Sequence, residues 1–160
     1  AAALLPAARA DEYHAPFSAV PRLRVLLKPR LLEFALGNFE PFVCVIALYD
    51  IVKAKKVSEN VYFHVNAPEV VALMEDPSSL PETRKALFSL VERSADVYVV
   101  LRVEKILQGE LDAVTEPYIK HETLKPKDRD RAVAGATAAC KRFSYRQPFA
   151  WAMAPFLDEN

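Results

Sequence analysis

The stretch FVCVIALYDIVKAKKVSENVYFHV, residues 42–65, decides the fold class that the sequence predicts. Residues 42–49 are apolar at every position and rich in β-branched side chains, which favours a strand covered on both faces over a short buried helix. Residues 61–65 alternate between apolar and polar positions, as a strand with one buried face does. Together the two runs predict a long β-hairpin joined through residues 50–60.

Strand patterns recur in five other segments of the chain. The clearest is residues 96–107, in which Leu101 and Val103 alternate with charged side chains. The remaining four segments are residues 22–28, 31–36, 81–94 and 148–156. The third of these also suits a helix, but the turn residues that follow it favour a strand. Two prolines bound the last segment, which indicates an edge strand.

Two helices are predicted between these strands. One begins near Pro68 and ends before Asp76, and the other occupies the alanine-rich part of residues 125–145. Several strands with a few inserted helices predict a mainly β or α+β protein, specifically an antiparallel β-sandwich. A C2-like arrangement is one candidate for that sandwich.

The chain of 160 residues has the length of one domain. We expect a flexible leader over residues 1–20, a single sandwich-like domain over residues 21–157, and a tail over residues 158–160. The leader is alanine-rich, lacks a basic start and is broken by Pro6, so it fits a signal peptide poorly. Because the sequence starts with Ala1 rather than Met, we expect a piece of a longer chain.

Composition argues against nucleic acid as a partner and favours the cytoplasm as the compartment. Lys+Arg and Asp+Glu both number 21, so no net charge favours nucleic acid, and no nucleic-acid partner is expected. The two cysteines, Cys44 and Cys140, are far apart and lack metal-ligand spacing. They are interpreted as reduced thiols of a cytoplasmic protein.

Residues that carry out catalysis are scarce in this sequence. The three glycines stand alone, so no phosphate-binding loop is predicted. The carboxylates of Glu110 and Asp112 fall in an expected loop, where a solvated surface explains them. No histidine has a partner at metal-ligand spacing: His14, His64 and His121. We therefore predict no catalytic, cofactor-binding or metal site, and no enzyme activity in this chain.

A group of lysines follows the buried run of the hairpin. Lys53, Lys55 and Lys56, together with Arg22 and Arg24 and extended by Lys28 and Arg30, would suit contact with anionic phospholipid or an acidic partner, and hence recruitment to a membrane. Lysines at a hairpin tip also keep a sheet edge soluble, and this simpler interpretation stays open.

Five blocks of the sequence, taken in order, resemble one known family. They are ALYD (47–50), KVSENVYFHV (56–65), SADVYVVLRVEKIL (94–107), EPYIKHE (116–122) and YRQPFAWAM (145–153). They are similar to the region just before the first homology region of the DOCK (dedicator of cytokinesis) guanine nucleotide exchange factors. That family acts on Rho-family GTPases through a second homology region and binds phosphoinositides through a C2-type first region. Neither region lies within these residues.

The resemblance implies a non-catalytic scaffolding or regulatory segment of an exchange factor. Its partners would be neighbouring domains of the same protein, and a Rho-family GTPase only through the absent exchange domain. The motif residues would build structure, with Tyr49 contacting Phe63 across the hairpin and Trp151 packing at an inter-domain seam. The remaining motif residues are Asp50, Ser58, Glu59, Asn60, Pro148 and Phe149.

Overall fold

The computed structural model describes residues 23–91, 94–119 and 125–157. The predicted leader and tail lie outside the described residues. The described elements are β1 (Leu23–Leu27), β2 (Phe42–Asp50), β3 (Lys55–Lys56), β4 (Val61–Phe63), α1 (Pro68–Val71), a 3-10 turn (Pro77–Ser79), β5 (Ala86–Leu90), β6 (Val97–Ile106), α2 (Leu111–Ile119), α3 (Pro126–Cys140) and β7 (Arg146–Pro155).

A five-stranded antiparallel sheet, the large sheet, is built around β2. Its order is β3–β2–β6–β7, and β4 pairs with β2 beside β3. Each residue from Phe42 to Leu48 is at most 5% exposed, which confirms the prediction of a strand covered on both faces. The predicted hairpin also forms, because β3 and β4 together return along β2 in antiparallel register.

A second, small sheet consists of β1 and β5, paired antiparallel from Leu23 opposite Leu90 to Leu27 opposite Ala86. The inward side chains of β5 share one core with those of β2, β4 and β6. Burial of this shared apolar surface holds the two sheets together. The prediction of a mainly β protein with inserted helices is thereby confirmed, and the two sheets pack as a sandwich. The C2-like arrangement stays a prediction.

The prediction of a short strand over residues 31–36 is wrong. In its place the chain forms an irregular segment that ends in a turn, where the Gly37 N–H donates to the Phe34 carbonyl at 2.7 Å. Gly37 has φ +86°, which favours glycine. The Asn38 amide accepts from the Phe34 N–H at 3.1 Å and donates to the Leu32 carbonyl. One side chain thus bonds the backbone groups that a neighbouring strand would otherwise pair.

The helices agree with the sequence in two of three cases. α1 and α3 form where predicted, each with a proline in its first turn. α3 buries Ala139 and Cys140 against Ile106 of β6. α2 was not predicted, because Pro117 lies inside it and proline is a poor helix former. Asp112 therefore lies in the first turn of a helix, which corrects its expected place in a loop.

The predicted last strand forms at one edge of the large sheet, as expected from its prolines. It begins at Arg146, two residues earlier than predicted. A β-bulge interrupts its pairing with β6: Val103 is opposite Ala150, whereas Glu104 is opposite Pro148. Phe149 is the extra residue in this bulge.

Replacement of Phe88 by Ala is expected to lower the free energy of unfolding by about 3–5 kcal/mol, because a buried aromatic ring leaves the shared core. Phe88 is 3% exposed, whereas its neighbour Leu87 is 63% exposed on the opposite face of β5. The matched control Leu87→Ala should change the free energy by less than about 0.5 kcal/mol. Urea denaturation measures both, and equal losses would contradict the packing of the small sheet on the large one.

Candidate functional site

The lysine tip, defined as residues 51–56, comprises the turn after β2 and the short strand β3, and it is ordered by Asp50. Its carboxylate accepts the Lys53 backbone N–H at 2.9 Å and lies 3.1 Å from the Lys53 ammonium. The hydrogen bond from the Lys53 backbone N–H lowers the pKa of Asp50 and is the largest effect on it. Desolvation opposes this effect, and the Lys53 side chain lowers the pKa further. Lys55 and Lys56 form β3 and are exposed. The tip therefore presents lysines on a defined turn.

Two of the arginines grouped with these lysines, Arg22 and Arg24, are placed differently. Arg24 lies on β1, opposite Ser89, and so belongs to the small sheet. Arg22 lies outside the described residues. The lysines belong to the large sheet. The described part of the chain thus divides the expected basic residues between two sheets.

The Ser58–Glu59–Asn60 motif forms a bulge in the return strand of the hairpin. Residues 57–60 stand opposite Ala47 and Leu48, so the return strand has two extra residues. The Ser58 hydroxyl accepts the Leu48 N–H at 2.8 Å and donates to the Glu59 carbonyl at 2.9 Å. A side chain thereby replaces a missing backbone partner in the ladder. Asn60 accepts from the Lys56 ammonium at 3.2 Å.

The expected contact between Tyr49 and Phe63 is wrong. Phe63 is opposite Cys44 and is buried in the core, whereas Tyr49 is opposite Lys56 and is exposed. The two aromatic side chains differ in register by five positions along β2 and lie on opposite faces of the large sheet. The two-residue bulge contributes to this offset, and spacing along the sequence did not reveal it.

Pro148, Phe149 and Trp151 lie at three different positions of the edge strand. Pro148 is opposite Glu104, and Phe149 packs into an aromatic cluster, 4.9 Å between ring centroids from Tyr118. Trp151 is opposite Arg102 and is 71% exposed. All three nevertheless line one apolar groove, together with the motif residues Tyr49 and Asn60.

Trp151 ends a row of side chains on the outer face of the large sheet. We call this row the outer ladder; it comprises Tyr62, Val45, Arg102 and Trp151 on β4, β2, β6 and β7. In the next row Ala47 and Val100 lie beside Met153. Small residues on the floor and large ones at the edges leave a shallow, largely apolar groove of about 350 Å³.

A buried ion pair lies at the far end of the large sheet and was missed in the sequence. The Lys105 ammonium is 2.7 Å from the Glu40 carboxylate, and both side chains are 1% exposed. The Tyr118 hydroxyl and the Gln108 amide also donate to Glu40, and Lys105 donates to the Val114 carbonyl at 3.3 Å. The alternation of side chains along β6 could have revealed that Lys105 is buried, because it places Lys105 on the inward face with Val103.

Aromatic rings surround this ion pair. The Lys105 ammonium lies 5.3 Å from the Tyr118 ring centroid and 5.6 Å from that of Phe149. Burial, with a smaller contribution from the Glu40 carboxylate, raises the pKa of Tyr118, so its hydroxyl stays protonated and donates. A cleft of about 680 Å³ between this end of the sheet, α2 and α3 reaches the pair. Charges of both signs line the cleft, including Glu116, Asp128, Arg131 and Arg142.

Both cysteine side chains are buried. Burial raises the pKa of the Cys44 and Cys140 thiols to about 11, so both are protonated and unreactive at neutral pH. Within residues 23–91, 94–119 and 125–157, no three His, Cys, Asp or Glu side chains are grouped to hold a metal ion. Across the same ranges, none of the helices has the length and apolar character needed to span a bilayer.

The geometry defines a two-sheet antiparallel β protein with inserted helices and an apolar outer face. No family model matches the chain, and no solved structure matches it. Curated relatives do match. Dedicator of cytokinesis protein 6 of Mus musculus is 36% identical over 138 residues, which cover 80% of this chain and 7% of the relative. Dedicator of cytokinesis protein 8 of Mus musculus is 36% identical over 141 residues, or 81% of this chain and 7% of the relative.

The similarity extends to a plant protein. Guanine nucleotide exchange factor SPIKE 1 of Arabidopsis thaliana is 29% identical over 138 residues, which cover 86% of this chain and 7% of that protein. The chain belongs to the dedicator of cytokinesis family, as a segment homologous to a small part of those proteins. It spans about 7% of the length of the curated relatives that it matches.

Replacement of Lys105 by Met is expected to lower the free energy of unfolding by about 3–5 kcal/mol, because Glu40 is left buried without its cation. In the Glu40→Gln/Lys105→Met double variant neither charge remains, so its loss should be smaller than the sum of the two single losses. Urea denaturation gives all three values, and Lys55→Met on the exposed β3 is the matched control. Additive losses would contradict a coupled buried pair.

Proposed function

We propose that the chain is a non-catalytic scaffolding and regulatory segment of a DOCK-type guanine nucleotide exchange factor. Its outer ladder packs against a neighbouring domain of the same protein, which fixes the position of that domain. The observation that carries this proposal is Trp151, a large aromatic side chain 71% exposed on an edge strand. The family assignment supports the parent role in Rho-family GTPase signalling and control of the cytoskeleton, exerted in the cytoplasm through domains outside this chain.

The energetics of the outer face support docking. A buried Trp removes about 150–250 Å² from water, worth roughly 25 cal/mol per Å², so an exposed Trp151 leaves several kcal/mol available to a partner. The apolar groove beside it, with Ala47 and Val100 on its floor, can receive a side chain from that partner. Tyr62 at the other end of the outer ladder is also exposed. The area runs across four strands and so exceeds a single exposed side chain.

The relatives' size indicates where the partner surface would lie. The matching region is about 7% of their length, so a homologous full-length protein contains many other surfaces. An edge strand also offers unpaired backbone groups to a neighbouring strand. We therefore assign the occupant of the outer ladder to another domain of the same polypeptide.

Hydrogen exchange of the β7 amides tests this proposal. We expect residues 149–154 to exchange more slowly in the full-length protein than in the isolated chain, because the neighbouring domain covers them. Trp151→Asp should abolish this difference, whereas Tyr145→Asp should keep it. Tyr145 is a matched control because it is 70% exposed just before β7. Equal exchange in both proteins would refute the docking role.

The lysine tip supports a second candidate function, contact with anionic membranes. Ile51 and Val52 are exposed apolar residues at the turn, immediately beside Lys53 and the lysines of β3. Such a pairing suits a loop that places apolar side chains among lipid headgroups while its lysines meet their negative charges. This arrangement would recruit the cytoplasmic protein to a membrane.

Sedimentation with phosphatidylserine vesicles tests the second candidate. If the tip binds, Lys55→Gln/Lys56→Gln should weaken partitioning by about 10–30-fold, since each lysine contributes about 1 kcal/mol near an anionic surface. Ile51→Ser/Val52→Ser should weaken it further, and added salt should suppress it. Arg24→Gln, on the small sheet, is the control. Partitioning that is the same in all tip variants as in the unmodified chain would exclude this function.

A further inference from the structure

A basic pocket lies between three chain segments that neither candidate function uses. Lys28 and Arg30 follow β1, His64 follows β4, and Arg84 precedes β5; all four line a pocket of about 570 Å³. The other lining residues are Pro29, Val65, Asn66 and Thr83, so no acidic side chain lines the pocket. Positive charge is therefore concentrated in a concave surface of a chain that has no net charge.

Within the part of the chain that the structure describes, the cations of this pocket have no anionic partner of their own. Among the ion pairs formed within the described ranges, none includes Lys28, Arg30 or Arg84. Lys105 and Lys53, by contrast, each contact a carboxylate. Like charges that share a concave site repel one another, and a bound anion relieves that repulsion.

The wall of the pocket is held in place by backbone hydrogen bonds. The Asn66 amide accepts the Phe42 N–H at 2.9 Å and donates to the Phe42 carbonyl at 2.8 Å, which ties this wall to the start of β2. The His64 Nδ1 accepts the Asn66 N–H at 3.3 Å. The neutral ring therefore carries its proton on Nε2, where it can donate to a ligand. Burial and, next, the Arg84 charge lower the pKa of His64.

We propose that this pocket binds a phosphate group. Two guanidinium groups and one ammonium supply three positive charges against the two of a phosphate dianion, and arginine forms paired hydrogen bonds to phosphate oxygens. The Thr83 hydroxyl and the His64 imidazole add neutral donors at the same site. The volume exceeds that of one phosphate group, so the pocket also accommodates the molecule that carries it.

The basic pocket is separate from the lysine tip. The tip adjoins Asp50 at one end of β2, whereas the pocket adjoins Phe42 at the other end. Eight residue steps of about 3.3 Å place the two ends of β2 roughly 26 Å apart. The phosphate group belongs either to a soluble molecule or to a lipid headgroup, and both present the same dianion to the pocket.

NMR titration of the chain with inorganic pyrophosphate tests the proposal. We expect the His64 imidazole signals to move with pyrophosphate concentration and the pKa of His64 to rise, because a bound anion stabilises the protonated ring. Arg30→Gln/Arg84→Gln should weaken binding at least about tenfold, since hydrogen bonds to charged groups are strong. Both arginines are exposed, so the fold should tolerate their loss.

Lys55→Gln/Lys56→Gln provides a control with the same change in charge at the other end of β2. It should bind pyrophosphate as the unmodified chain does. Equal weakening in both double variants would reduce the effect to general charge attraction and overturn the proposal. Unchanged His64 signals with pyrophosphate and with lipid would overturn it as well.

Vesicles of phosphatidylcholine, with and without phosphatidic acid, distinguish the two sources of the phosphate group. Sedimentation that requires phosphatidic acid and falls further in Arg30→Gln/Arg84→Gln than in Lys55→Gln/Lys56→Gln assigns the pocket to a lipid headgroup. Pyrophosphate binding without such sedimentation assigns it to a soluble phosphorylated molecule. Because the outer ladder is untouched by these substitutions, failure here leaves the inter-domain docking proposal to its own test.

Discussion

Burial of residues 42–48 in β2 is the constraint on which the rest of the structure depends. A continuous run of buried side chains needs pairing on both edges and cover on both faces. Its edges are paired by β6 and by the returning β3 and β4. The small sheet covers the inner face. On the outer face, larger side chains such as Tyr49 and Trp151 flank the small side chains of the strand, and an apolar groove remains between them.

The Lys105–Glu40 pair fixes the orientation of α2 at the end of the large sheet where β2 begins. Desolvating two charges costs as much as their attraction returns, so the pair contributes little net stability. Its value lies in geometry, because Tyr118 on α2 and Gln108 beyond β6 both donate to the same carboxylate. An apolar contact would tolerate rotation of α2, whereas these directed hydrogen bonds favour one orientation. The resulting cleft is a consequence of this orientation.

The sequence predicted those elements whose side chains repeat along one strand. β1, β2, β5, β6 and β7 were all recognisable from alternation or from a continuous apolar run. It failed where one residue overrides the local pattern: the Asn38 amide takes the place of a strand partner, and Pro117 conceals α2. The outer ladder and the basic pocket could not be predicted, because each joins segments that are distant in sequence and depends on register. The lysine tip, a local feature, was visible from the start.

The bulge at Phe149 determines which side chains of β7 face the core and which lie on the outer face. Successive residues of a strand point to opposite faces, so one inserted residue reverses the order of everything beyond it. If Phe149 were instead paired in regular alternation after Pro148, Trp151 would point toward the inner side and the alanines would occupy the outer face. The bulge thus lets two consecutive residues, Phe149 and Ala150, both pack against the core. Deletion of Phe149 would restore regular pairing and keep Trp151 opposite Arg102, so the bulge adds an aromatic ring to the core and leaves the outer face unchanged.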